Sequence, residues 1–262
     1  MEIFTIIASI IISFPSSAGL LLDKIVADVI KSNAKNVEQL EVRVSNLPIH
    51  QIINGQVKKI RIASRGLKPM EGVRIETLEI ETDSLDIDLN NLEVSNFNDL
   101  RQSLRKPLQG GINLVFTEQD LNKTLQSAQI QSYLPKIIGN SNNSNFQIIN
   151  PRLNLLANNR IEIETQIKLL NRGQEDILDT TLEFGIEVIK GSKINIIEPI
   201  GTLNGRKLSK KLLQGFADNF NGQLDFHRLE ASGITLRFLQ FNINDHKIKM
   251  TAFVRIKDNN SN

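Results

Sequence analysis

The chain has 262 residues, 31 basic and 29 acidic, for a formal net charge of +2, so it lacks the dominant positive field of a duplex-binding protein, and no nucleic-acid partner is expected. It contains no cysteine, which excludes disulfides, thiol nucleophiles and thiolate metal sites. With no Trp and a single Tyr, Leu and Ile carry the interior, and the length suffices for one large β-rich domain or two smaller ones.

The first segment, "MEIFTIIASIIISFPSSAGLLL", has no Lys or Arg before Lys24 and only Glu2 as a charged side chain. Its apolar run from Ile3 to Phe14 is shorter than the roughly 20 residues of a membrane span. It has the length of a signal-peptide core with small residues at Ser16-Ser17-Ala18, but no positive n-region. Residues 1–18 are therefore expected to be either an export or anchor segment or an apolar piece packed on the remainder, residues 19–262, which are expected to form a single domain. "GLLLDKIVADVIKSN" sets Leu21, Leu22, Ile25, Val26, Val29 and Ile30 on one side at helical spacing, which predicts an amphipathic helix. From Val37 the pattern turns extended, with strands in "VEQLEVRV" and "VKKIRIA".

"VRIETLEIETDSLDIDL", Val73 to Leu89, alternates with period two but changes phase twice. Val73 and Ile75 mark one face, Leu78 and Ile80 the other, and Leu85, Ile87 and Leu89 return to the first. Seventeen residues at roughly 3.3 Å each would reach about 55 Å if flat, so a bulge or bend is expected at each phase change. The acidic pairs Glu79/Glu81 and Asp86/Asp88, at i, i+2, are expected on the wet face and not as paired catalytic carboxylates. "LRKPLQGG" reads as a breaker and "INLVF" as a short strand. In "FTEQDL", Thr117 predicts a helix cap, Asp120 stands at the capping-box position, and Phe116 and Leu121 occupy the hydrophobic-staple positions. That helix is expected to run beyond Ala128, and "GNSNNSN", 139–145, to form a loop.

The second half repeats the style, with long one-faced strands in "RIEIETQIKLL" and "ILDTTLEFGIEVIK". "GRKLSKKLLQGFADNF" brings Leu208, Leu212, Leu213, Phe216 and Phe220 onto one helical stripe. "ITLRFLQFNI" and "KIKMTAFVRI" are two strands joined by a hairpin through "NDHK", where His246 reads as a turn residue. No catalytic set emerges. His50, His227 and His246 have no companion at metal-ligand or general-base spacing. "GTLNGRKLS" has three residues between its glycines and Arg-Lys where a phosphate loop needs Lys-Ser/Thr. Neither an enzyme nor a cofactor nor a metal is indicated.

"INGQVKKIRIASRGLKPMEGVRIETLEIETDSLDIDLNNL", the breaker, and "GGINLVFTEQDLNKTL" together resemble the LmeA-type phospholipid-binding family of bacteria. The resemblance rests on Gly55, on Gly66-Leu67, and on the helix start Thr117-Glu118-Asp120-Leu121, and it extends from about Gly19 to Ile256. The run from Leu20 to Val42, a helix leading into "VEQLEV", is most similar to the photosynthetic-bacterial branch. The resemblance implies an α+β fold like that of tubular lipid-binding proteins, with a long, strongly curved antiparallel sheet wrapped around a few amphipathic helices, and it implies phospholipid binding without catalysis.

Each acyl CH₂ removed from water contributes about 0.8 kcal/mol, so two chains of ~16 carbons supply on the order of 20 kcal/mol. An apolar groove or tunnel then suffices to hold lipid and to transfer it. The expected apolar lining is Leu121, Leu125, Leu208, Leu212, Leu213, Phe216 and Phe220. The expected head-group or membrane-surface contacts are Arg206, Lys207, Lys210 and Lys211. The plain alternatives are core packing for the first set and a solvated helix face for the second. The competing function is a membrane-attached scaffold with a solid core. Either function places the protein at a membrane: the envelope or periplasmic side if residues 1–18 act as a signal, the cytoplasmic face otherwise.

Overall fold

The structure, a computed structural model, describes residues 22–45, 51, 54–88, 101–131, 146–171, 174–244 and 246–258. The expectations for residues 1–18 and 139–145 lie outside the described residues. Helix α1 (Leu22–Asn33) precedes strand β1 (Gln39–Ser45). Strands β2 (Gln56–Val57), β3 (Lys59–Met70), β4 (Val73–Thr82), β5 (Leu85–Asp86) and β6 (Leu108–Thr117) follow. Helix α2 (Glu118–Gln126) leads to the long strands β7 (Phe146–Leu156), β8 (Arg160–Asn171), β9 (Gln174–Ile189) and β10 (Lys193–Leu203). After β11 (Arg206–Lys207) come helix α3 (Lys210–Gln223), a 3₁₀ turn (Phe226–Ser232), β12 (Ile234–Asn244) and β13 (Lys247–Ile256).

The architecture is α+β and antiparallel throughout, as the sequence predicts, but the strands divide into two large sheets. One has the order β1-β3-β4-β6-β13-β12, the other β11-β10-β9-β8-β7, and β2 pairs with β5 apart from both. Each large sheet has its own core. In the first, Val26 and Ile30 of α1 pack on Ile60, Ile62, Leu67, Ile75, Leu78, Ile80 and Val254. The second gathers Leu155, Ile161, Phe184, Ile186 and Ile196 with Ala217 of α3 and Ile243 of β12. The seam between the cores lies at the start of α2, where Phe116 packs on the first cluster and Leu121 on the second.

The two phase changes of the 73–89 stretch have different origins. In β3 the buried side passes from Ile60, Ile62 and Ser64 to Leu67, and in β4 from Ile80 and Leu78 to Ile75. Both changes fall on one line of the sheet, since Arg65 pairs with Thr77 and Leu67 with Ile75. Gly66 sits on that line with φ +60°, a left-handed step open to glycine at little steric cost. The second change is a true break, because β4 ends at Thr82 and β5 pairs with β2 instead.

That break corrects one expectation: Asp86 is not on a wet face but buried at 8% exposure. Gln56 Nε2 reaches its Oδ2 at 3.1 Å, and Arg105 stands 3.6 Å from its Oδ1. A second correction concerns "LQGG", which belongs to β6 rather than to a breaker. A Cβ on Gly110 would lie 2.6 Å from the Glu81 carbonyl oxygen, so the glycine permits a close strand approach. A third concerns α2, which ends at Gln126 with Ser127 as its C-cap; helical turns resume at 128–131.

Open sheet rims are closed by side chains. Asp23 Oδ1 accepts from Val44 N at 2.7 Å on β1, and Asn159 Oδ1 from Ile243 N at 2.7 Å on β12. On β7, Asn122 Oδ1 accepts from Leu153 N at 2.8 Å while its Nδ2 donates to Leu153 O at 2.7 Å, so one amide mimics a neighbouring strand. On β10, Asn221 Oδ1 takes Ile196 N at 2.6 Å and Leu224 O takes Ile194 N at 3.0 Å, which lays α3 along that edge. Each such bond contributes about 1 kcal/mol and removes a template for pairing with another chain.

Candidate functional site

The inner face of the second sheet follows from register. Leu155 opposes Ile161, Ile163 opposes Leu182, Thr165 opposes Thr180 and Ile167 opposes Leu178. On β10, Leu203 opposes Thr180. Near β12 this face is closed: α3 presents Leu213, Phe216, Ala217 and Phe220 at i, i+3, i+4 and i+7, and the Phe216 ring lies 5.8 Å from Phe184 and 4.7 Å from Phe220. Farther along, Ile167, Leu169, Leu178, Leu203 and Leu208 are only half-buried and lie outside both core clusters. They form an open apolar shelf. At its floor Thr180 Oγ1 is buried without a hydrogen-bond partner among the described residues.

Gly201 lets the next segment lie down on this shelf. A Cβ there would stand 2.9 Å from Thr181 O and 3.2 Å from Leu208 Cδ1, and Leu208 N donates to Gly201 O at 2.9 Å. The Asn204 corner is tied to β9 in both directions, its N donating to Asp179 O and its Oδ1 accepting from Asp179 N, each at 2.8 Å. Arg206 opposes Leu203 in register, which sets a basic corner beside the shelf. Arg206, Lys207, Lys210 and Lys211 are all exposed.

The residues singled out by sequence thus separate into groups. Leu121, Phe216 and Phe220 pack on the second core, and Leu213 is buried at 7% exposure outside both clusters. Leu125 is half-buried outside both clusters. Leu208 lies on the shelf beside the four basic residues, and Leu212 points outward at 64% exposure. Helix α3 starts at Lys210, with Ser209 Oγ accepting from Leu212 N, so Leu208 precedes it and the inward stripe runs one residue out of step with Leu208 and Leu212. The half-buried Ile167, Leu178 and Leu203 were not singled out by sequence. Their alternation marked an apolar strand face, and among the described residues α3 covers only part of it.

Cavities elsewhere have a different character. One of about 500 Å³ lies over Glu41, Arg43, Arg61, Glu79, Glu81 and Asn113. Another of about 620 Å³ is bordered by Asn158, Asn159, Asn242, Asn244 and His246. An apolar one, between Ile80, Leu108, Ile112, Val254 and Ile256, holds about 30 Å³, room for a water and not for an acyl chain. The described residues contain no cluster of three metal-ligating side chains, and no helix among them is long and apolar enough to cross a membrane.

At the seam, the start of α2 meets the β12–β13 turn through a partly buried carboxylate. His246, at φ +59° in the β12–β13 turn, brings Nδ1 to 2.9 Å from Glu118 Oε2, which also accepts from Leu155 N at 2.7 Å. Burial raises the Glu118 pKa, but the bonds from His246 and Leu155 outweigh it and hold the carboxyl below its usual value. A depressed folded-state pKa contributes stability above the unfolded value, near 4.3, and loses it as pH falls through the folded value. Urea midpoints measured from pH 7 down to pH 3 should fall in the acid range. Glu118→Gln should be less stable at pH 7 and show a shallower acid loss; an unchanged slope would place the acid sensitivity elsewhere.

A family model described as LmeA-like phospholipid-binding matches residues 16–253. No curated protein and no solved structure matches the chain.

Proposed function

The chain belongs to the LmeA-like phospholipid-binding family, and from that premise we propose that the shelf on the second sheet holds the acyl chains of a phospholipid without catalysis. The observation that carries this is the row Ile167, Leu169, Leu178, Leu203 and Leu208, a half-buried apolar surface outside both cores. Acyl chains laid on it leave water at about 25 cal/mol per Å² of apolar surface covered. The unpartnered Thr180 Oγ1 supports a polar contact at the chain–glycerol junction, where an ester carbonyl accepts a hydrogen bond. Membrane association and transfer between membranes follow from an open shelf, which exchanges its cargo without unthreading it from a tunnel.

The test is extraction of the purified full chain with organic solvent, followed by mass spectrometry. About one phospholipid per chain is expected; none, after purification without detergent, overturns the proposal. A second reading is a membrane-attached scaffold, favoured by the two filled cores and by the small volume of the apolar cavity. Binding to liposomes without uptake or exchange of labelled lipid would select it.

A further inference from the structure

The corner where β10 turns into β11 and α3 is locally basic. No acidic residue stands between Glu198 and Asp218, whereas Arg206, Lys207, Lys210 and Lys211 do. Some exposed cations elsewhere are paired, Arg43 with Glu41 and Arg61 with Glu81. None of the four corner cations makes an ion pair among the described residues. Nearby carboxylates are engaged elsewhere, Glu198 with Arg160 and Asp218 with Gln214.

Helix α3 also has no acidic residue in its first turn and two lysines there. Cations at a helix N-terminus oppose the macrodipole, so this arrangement is unfavourable for the isolated protein. Leu212, 64% exposed, directly follows the two lysines in the first turn of α3. Unpaired cations beside an exposed aliphatic side chain match an anionic bilayer, where phosphates meet the charges and Leu212 reaches the acyl boundary.

We propose that this corner is the surface by which the protein docks on an anionic phospholipid membrane, with the open end of the shelf toward the bilayer. The proposal rests on reading the shelf as a phospholipid site. Each lysine near an anionic surface contributes a factor of about five in affinity. Replacing three of them, Lys207→Gln with Lys210→Gln and Lys211→Gln, should therefore weaken binding by about 100-fold.

The full chain and this variant would be sedimented with vesicles of phosphatidylcholine alone and with 30% phosphatidylglycerol (an order-of-magnitude choice that brings the surface to the potential of an anionic leaflet, ~−30 to −50 mV). The parent should prefer the anionic vesicles and lose that preference at high salt, and the variant should lack it. The variant should unfold at the same or a higher temperature, since a dipole conflict is relieved, so misfolding would not mimic the result. Equal binding to both vesicles by the parent, an unchanged preference in the variant, or preferential binding to a DNA duplex at equal phosphate concentration overturns the docking surface. Co-purified phospholipid that persists in the variant leaves the shelf intact whatever the vesicles show, and its absence from both proteins overturns the shelf instead.

Discussion

Replacing Arg74 by Ala should lower stability by about 3 kcal/mol. Its guanidinium forks onto Glu38 through Nε and Nη2, both at 3.0 Å, and its Nη1 meets Glu76 at 2.8 Å and Asp120 at 2.6 Å. Asp120 is the decisive partner, because its side chain is only 4% exposed. Removing the arginine strands that carboxylate beside Thr117, whose Oγ1 donates to it at 2.7 Å but brings no charge. The arginine is partly exposed, at 23%, so water replaces some of what is lost and the lower end of the range for broken buried pairs applies. Arg74→Ala combined with Asp120→Ala should recover much of the loss. Urea denaturation of the four members of this cycle measures the coupling, and a value under about 0.5 kcal/mol would mean that the network does not hold the seam.

Leu178→Asp should strip bound phospholipid while leaving the fold nearly as stable as before. Leu178 opposes Ile167 across β8 and β9 and lies outside both cores, so its truncation opens no cavity in either. A carboxylate at that position faces acyl chains and must be desolvated or displace them, a cost of several kcal/mol. Phospholipid recovered per chain should fall at least about 10-fold, while the urea midpoint shifts by the equivalent of roughly 1 kcal/mol or less. Phe184→Ala, in the second core, should do the reverse to stability and lose about 3 kcal/mol. If Leu178→Asp retained full lipid, the shelf would not be the binding surface.

Most of the architecture was legible because its signals are local. The alternation of β3, β4, β8, β9 and β13 and the helical spacing of Val26 and Ile30 each state a period in the sequence itself. The cap was legible to the atom: Thr117 Oγ1 accepts from Asp120 N at 3.1 Å. What escaped depends on contacts distant in sequence. Asp86 reads as half of a wet pair until β5 leaves β4 to pair with β2. Asn122, Asn159 and Asn221 look like loop or solvent-facing amides, and nothing near them in the chain tells that each will meet a strand rim. The stripe assigned to α3 included Leu208 and Leu212 because the spacing fits; the cap at Ser209 starts the helix later and turns Leu212 outward. The shelf escaped for the same reason, since an aliphatic face reads alike whether a helix covers it or stops short.

The side chains that seal the sheet rims have a consequence for how such a protein lives at high concentration. If the shelf takes up and releases phospholipid as proposed, the protein passes through states in which that surface is bare. If its strand borders were also unsatisfied, two bare molecules would find in each other both an oily partner and a row of waiting amides, and would grow into ribbons. With Asp23, Asn122, Asn159 and Asn221 each occupying one amide of a rim, an encounter between two empty copies meets fewer directional contacts to lock it.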